Sequence, residues 1–180
     1  MVYMFLADGF EEVEALCPLD LMRRAGIAVT TVGVNKKEIV GAHNITVIAD
    51  VTTDDFKFAD DAEGVFLPGG MPGTLNLAAC PVVIDAVKTA YEYNKLVAAI
   101  CAAPSILGDL GLLVGKEAIC YPGFEENLTG AIISEKKVVT DGNVITAAGM
   151  GVAYEMGITI IAYLLSDEKA DEIRRVTIHA

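Results

Sequence analysis

The chain is predicted to be an α/β protein: a mostly parallel central sheet with helices on both faces. Three observations predict it. Short β-rich runs alternate with stretches of helical period from the first residues onward. Two of the runs, Val2–Leu6 and Leu96–Ile100, are apolar throughout, as strands covered on both faces are. The loops after such runs carry glycine pairs or a cysteine, at the edge where open parallel sheets hold ligands.

Val2–Leu6 reads as the first buried strand, turned by Asp8-Gly9. Glu11–Ala25 reads as a helix, because Val13, Leu16, Leu19 and Met22 stripe one face at three-residue spacing. Glu11, Glu12 and Glu14 load its first turn and Arg23-Arg24 its last, as the macrodipole prefers, and Gly26 ends it. Pro18 inside it is expected to kink it, because it removes one backbone donor. Ile27–Val34 is the next strand, and Glu38–Val51 reads as two short strands around Gly41-Ala42-His43-Asn44. Glu63–Leu67 is a strand entering Pro68-Gly69-Gly70, and Pro81–Tyr93 is a helix with proline at its first position. Leu96–Ile100 is a strand that runs into Cys101, and Ala102–Leu110 is its helix. Val138–Thr140 and Val144–Ala147 flank Asp141-Gly142-Asn143, a hairpin signal. Gly151–Leu165 is a long apolar helix, and Asp167–Arg175 a polar one. No repeat or linker divides the chain, so residues 1–180 are expected to form one domain.

Hydrophobic residues make up 53% of the chain and charged residues 21%. That apolar content, with the stripe on the first helix, predicts a homodimer built through Glu11–Ala25. A net charge of −12, with no basic stripe, argues against nucleic acid and against an anionic membrane. No apolar run reaches the length of a membrane span, and Met1–Leu6 lacks the basic start of a secretion signal. The four cysteines form no CxxC pair and have only His43 and His179 to join them, so neither a metal nor a cofactor is expected. A reducing, cytoplasmic location follows from the same cysteine usage.

Cys101 is the expected centre of the chemistry. A strand running straight into a helix lifts one side chain out of the sheet, the device of a nucleophile elbow, here carrying a thiol. The positive end of the following helix is expected to favour thiolate. Three loops should converge there: Gly9–Glu14, Leu67–Gly73 and Ile100–Ala102. The N–H groups of Gly70 and Ala102 are candidate oxyanion donors. Of the three first-turn acids, Glu14 borders the apolar stripe. Pointed inward beside sulfur it is expected to stay protonated, while the other two read as solvated.

The segments Phe5–Ala15, Asp20–Gly26, Leu67–Gly70 and Ala98–Pro104, in this order and spacing, resemble the ThiJ/PfpI superfamily, on its DJ-one and YajL-like branch. The resemblance covers essentially the whole chain. It implies a flavodoxin-like three-layer α/β sandwich and a homodimer on the first helix. It implies Cys101 as a reactive thiol that oxidises to a sulfinic acid, with Glu14 as the protonated acid against it and Gly70 and Ala102 as backbone donors. It places Arg24 and His43 at the dimer interface near the partner's site. It implies either a glyoxalase or deglycase acting on reactive carbonyls such as methylglyoxal, or a redox-sensing stress chaperone. Two departures stand out. Cys120-Tyr121-Pro122 has tyrosine where many relatives have a histidine near the sulfur, and Gly149-Met150-Gly151-Val152 replaces a Gly-Pro-Gly-Thr loop. Ala102 follows the cysteine where the PfpI-type proteases have histidine, and no His-x-Glu follows as class I amidotransferases require, so neither activity is expected.

Overall fold

The computed structural model describes residues 1–179. In chain order it contains β1 (Val2–Leu6), α1 (Glu12–Arg24), β2 (Val29–Gly33), β3 (Glu38–Val40), β4 (Thr46–Ile48), β5 (Val51–Thr52) and β6 (Gly64–Leu67). There follow α2 (Gly73–Ala78), α3 (Pro81–Glu92), β7 (Leu96–Ile100), α4 (Pro104–Asp109), β8 (Glu117–Ala118) and β9 (Ile132–Ile133). The chain closes with β10 (Val138–Asp141), β11 (Val144–Ala147), α5 (Ala153–Leu164) and α6 (Asp167–Val176). Short 3-10 turns lie at Glu125–Asn127 and Met150–Val152.

Seven strands form one sheet in the order β10-β11-β7-β6-β1-β2-β5. All neighbours are parallel except the β10–β11 hairpin. The five main parallel strands therefore follow the doubly wound order 2-1-3-4-5, the flavodoxin-like arrangement. β1 shows why the core has two layers. Its side chains alternate across the sheet: Val2, Met4 and Leu6 pack toward α1, α5 and α6, while Tyr3 and Phe5 pack toward α3 and α4. A strand buried on both faces has no polar residue to spare, which is why it reads as an unbroken apolar run. Each fully buried Phe or Leu contributes about 1.5–3 kcal/mol.

Helix α1 runs unbroken from Glu12 to Arg24, with Pro18 inside it. Helix α5 crosses closely there: a Cβ on Gly157 would stand 3.1 Å from Pro18 Cα and 2.8 Å from Leu21 Cδ1. Glycine at 157 is thus what lets α5 lie against α1. The 38–51 segment forms an antiparallel β3–β4 pair as expected, but Val51 leaves it and joins the main sheet as β5. Helix α2 and the small parallel β8–β9 pair were not expected. They are too short to show a period in sequence. No helix among the described residues is long and apolar enough to cross a membrane.

Candidate active site

The carboxyl ends of β1, β6 and β7 gather three loops at one edge, beside the point where the winding of the sheet reverses. The loops are stitched by backbone bonds: Glu11 N–H donates to Gly69 O at 2.9 Å, and Gly73 N–H to Gly9 O at 3.2 Å. Phe10, completely buried between them, holds the first loop down.

Cys101 ends β7. Its N–H still follows the ladder, donating to Ala147 O at 2.9 Å, but its φ is +65°. A residue with a Cβ is strained in that region, at a cost of about 1–3 kcal/mol. The turn throws the side chain off the sheet and is fixed from the other side by Tyr121 N–H, which donates to Cys101 O at 2.8 Å. The backbone N–H groups of Ala102 and Gly70 act on the sulfur in the direction that favours thiolate. Both glycines of Gly69-Gly70 are required by space. A Cβ on Gly69 would stand 2.6 Å from both Cys101 Cβ and Glu14 Oε2, and one on Gly70 would stand 2.3 Å from Glu11 N. Gly70 also has φ +90°.

Glu14 is 1% exposed. Gly69 N–H donates to its Oε2 at 3.0 Å, and the Cys101 thiol and Met150 N–H act on its carboxyl in the direction that favours the charged form. No cation pairs with it among the described residues. Burial pushes its pKa up to about 7, and the Glu11 charge adds to the rise against these hydrogen bonds.

The expectation of a dipole-favoured thiolate is corrected. Burial, followed by the charge of Glu14, pushes the Cys101 thiol up to about 12. Helix α4 does not begin until Pro104 and is only six residues long, so its dipole is weak and starts late. Each group acts on the other: the Glu14 charge raises the thiol, and the thiol favours the charged carboxylate. With Glu14 ionised, the proton stays on sulfur. When Glu14 takes a proton its charge disappears, and its O–H becomes a donor that favours thiolate.

The expectation that both other first-turn acids are solvated is also corrected. Glu12 is 3% exposed. Its Oε1 accepts from His43 N–H at 2.7 Å and Ile45 N–H at 3.3 Å, and its Oε2 meets His43 Nδ1 at 2.9 Å. It ties the β3–β4 loop to the start of α1. Nothing in the local sequence signals this, because the partners lie some thirty residues away.

Tyr121 borders the cradle. Its ring lies 3.2 Å from where a Cβ on Gly149 would stand, and Glu14 Oε1 lies 3.8 Å from the same point. Arg24 does not share the cradle within this chain: ten residues of helix, about 15 Å, separate it from Glu14, and it pairs with Asp20 at 2.6 Å. His43 is exposed and touches Glu11 and Glu12 rather than sulfur. Among the other thiols, Cys80 and Cys120 are buried and Cys17 half-buried. Burial pushes Cys120 up to about 11. A cavity of about 450 Å³ lies elsewhere along the sheet edge, lined by Asp8, Asn35, Lys36, Asn76 and Cys80. Asp8 and Lys36 neutralise each other there at 2.7 Å, so the chemistry is better sought at Cys101.

A doubly wound sheet with a strained thiol at a strand end, backbone N–H groups on its sulfur and a buried acid against it defines a class of elbow-cysteine α/β proteins. Comparison with known proteins narrows the class. The family model described as the DJ-1/PfpI family matches residues 1–163, and the chain belongs to that family. It is 36% identical over 175 residues to the Parkinson disease protein 7 homolog of Danio rerio, covering 95% of this chain and 93% of the relative. It is 30% identical over 168 residues to the glutathione-independent glyoxalase DJR-1.2 of Caenorhabditis elegans, covering 92% and 89%. The crystal structure of Drosophila melanogaster DJ-1beta superposes with a TM-score of 0.93 at 33% identity, covering 99% of this chain and 97% of that one.

Proposed function

We propose that the chain is a cysteine-dependent enzyme for small reactive carbonyls, of the glyoxalase or deglycase kind, working without glutathione or a cofactor. The observation that carries this reading is the Cys101–Glu14 pair, a thiol and a carboxyl raised to about 7 by burial, facing each other with no cation between them. A carboxyl poised near neutrality can both accept and donate a proton. With methylglyoxal, the Cys101 sulfur adds to the aldehyde carbon and the thiol proton ends on the new hydroxyl, giving a hemithioacetal. The N–H groups of Gly70 and Ala102 hold that oxygen. Glu14 then takes the proton from the sulfur-bearing carbon and returns it to the neighbouring carbonyl carbon, while the hydroxyl proton passes to that neighbour's oxygen, leaving the thioester of lactate. Water cleaves it to lactate and restores the thiol. The glyoxalase name of the Caenorhabditis elegans relative supports the substrate class. The test is lactate formed from methylglyoxal without glutathione. Lactate made by the wild type and absent with Cys101→Ser is expected; none from either protein overturns the reading.

A second reading is favoured by residue 121, which is a tyrosine rather than a histidine able to serve as general base. Here Cys101 is a redox sensor that oxidises to sulfinic acid, with Glu14 and the two N–H groups holding its oxygens, in a stress-response chaperone. After limited peroxide, peptide mass spectrometry should find Cys101 oxidised first. Equal oxidation at Cys17 or Cys120 would falsify it.

In either reading the working form is a cytoplasmic homodimer of one-domain subunits joined through α1, with Arg24 and His43 at the interface. Exposed Val13 on α1 and half-buried Cys17 support this face. Sedimentation at micromolar concentration should give twice the 19.0 kDa chain mass.

A further inference from the structure

The two carboxyl oxygens of Glu14 have different neighbours. Oε2 and Cys101 Cβ each lie 2.6 Å from one point, the place a Cβ on Gly69 would take. Oε1 lies 3.8 Å from another, the place a Cβ on Gly149 would take, and the Tyr121 ring lies 3.2 Å (Cδ2) and 3.8 Å (Cε2) from that same point. The carboxyl therefore reaches from Cys101 to the edge of the Tyr121 ring, and the missing Cβ of Gly149 keeps the space between them clear.

Tyr121 is anchored by its backbone. Its N–H donates to Cys101 O at 2.8 Å, which ties the ring to the turn that carries the nucleophile. The side chain itself is half exposed, as is that of Met150, which follows Gly149. An aromatic ring and a thioether placed in this way offer apolar contact area without charge. Neither residue belongs to α1, the helix proposed to carry the dimer. Chemistry fixes how a bound 2-oxoaldehyde must lie against these groups. Its aldehyde carbon has to meet the Cys101 sulfur, and Glu14 has to reach both that carbon and the neighbouring carbonyl carbon. The substituent on the second carbon thus leaves the sulfur along the carboxyl, and the side chain at the far end of the carboxyl is Tyr121.

We propose that Tyr121 is a specificity-determining residue of the cradle: its ring packs on the substituent of the bound carbonyl compound, so 2-oxoaldehydes carrying an aryl or bulky alkyl group are preferred over methylglyoxal. The inference rests on the carbonyl reading of Cys101 given above. The product of such a substrate is the matching 2-hydroxy acid. One water is taken up, the aldehyde carbon is oxidised and its neighbour reduced, and no outside oxidant enters.

The test separates binding from turnover. A hemithioacetal shields the Cys101 thiol, so phenylglyoxal and methylglyoxal are compared as protectants of the full chain against iodoacetamide, read by mass spectrometry of the Cys101 peptide. A small free thiol treated in the same way gives the intrinsic ratio of the two aldehydes. In the wild type, phenylglyoxal is expected to protect about 10-fold better than that ratio allows, the size of one aromatic contact. Tyr121→Phe should keep the preference, and Tyr121→Ala should return it to the free-thiol ratio. Both variants retain the backbone bond to Cys101 O, and both should unfold thermally as the wild type does. A wild-type preference no greater than that of the free thiol, a preference that survives Tyr121→Ala or is lost in Tyr121→Phe, or no protection by either aldehyde overturns the proposal. Lactate is scored separately. Lactate formed without any preference leaves the enzymatic reading standing and removes Tyr121 from it. A preference without lactate removes the turnover and leaves Tyr121 as the wall that selects what binds.

Discussion

Glu14 and Glu155 occupy the same place in their helices, the third residue of α1 and of α5. Their acidities move in opposite directions. Glu155 receives two hydrogen bonds from the Arg174 guanidinium, at 2.9 and 2.6 Å, and Arg174 holds its pKa below the usual carboxylate value. Glu14, with a thiol and two backbone N–H groups for company, is raised to about 7. Being one turn from a positive helix end does not decide the charge of either; burial and the presence of a counter-charge do. One end of the molecule uses a carboxylate to dock α6 onto α5. The other keeps a carboxyl undecided between its two protonation states beside a nucleophile.

The comparison breaks most sharply through activity. If Glu14 moves protons for Cys101, Glu14→Gln should lower lactate formation by about 10²-fold or more, while Arg174→Ala leaves it within about twofold, since α6 lies away from the cradle. Full activity in Glu14→Gln removes the proton-transfer role.

The next effect is on stability, and its sign follows from the raised acidity. Between pH 4.5 and about 7, Glu14 holds its proton in the folded chain but loses it in the unfolded one. It therefore costs stability progressively as pH rises through that window, the cost being complete above about 7. Glu14→Gln should raise the unfolding free energy at pH 8 by on the order of 3 kcal/mol and leave it nearly unchanged at pH 4, measured by urea titration. Glu155 behaves oppositely: its contribution is present above its unfolded pKa and is lost as pH falls through the lowered folded value. Acidification from pH 6 to 3 should therefore destabilise the wild type more than Arg174→Ala.

A smaller effect concerns the elbow. Glycine adopts φ +65° freely, so Cys101→Gly should be more stable than Cys101→Ala by about 1 kcal/mol. Equal stability would mean that the strain is carried elsewhere. The smallest effect is expected of Arg174→Ala at pH 7. Both partners are about one-third exposed, so the loss should be about 1 kcal/mol or less.

What was legible in the sequence divides by distance along the chain. The elbow was legible because a five-residue apolar run, a cysteine and a helix-starting proline are adjacent. The inward turn of Glu14 was legible because it borders a helical stripe. The burial of Glu12 was not: its partners, His43 and Ile45, are brought to it only when β3 and β4 fold back over the start of α1. The direction of the thiol acidity was missed for a different reason. A dipole can be inferred from a helix in sequence, whereas desolvation is a property of the packed core around Cys101 and opposes it. Helix α2, at six residues, and the β8–β9 pair lie below the length at which periodicity is informative.

The ends of the central sheet bear on how copies of the chain can meet. One border strand, β5, has two residues. At the other border, beside β10, the chain lays β8 close by, with Glu117 N–H donating to the Asp141 carboxylate at 2.9 Å. Neither border offers a long, flat row of unpaired peptide groups to a stranger's strand. Crowding a concentrated solution of the folded protein should therefore yield discrete particles that meet helix to helix, rather than ribbons extended strand by strand.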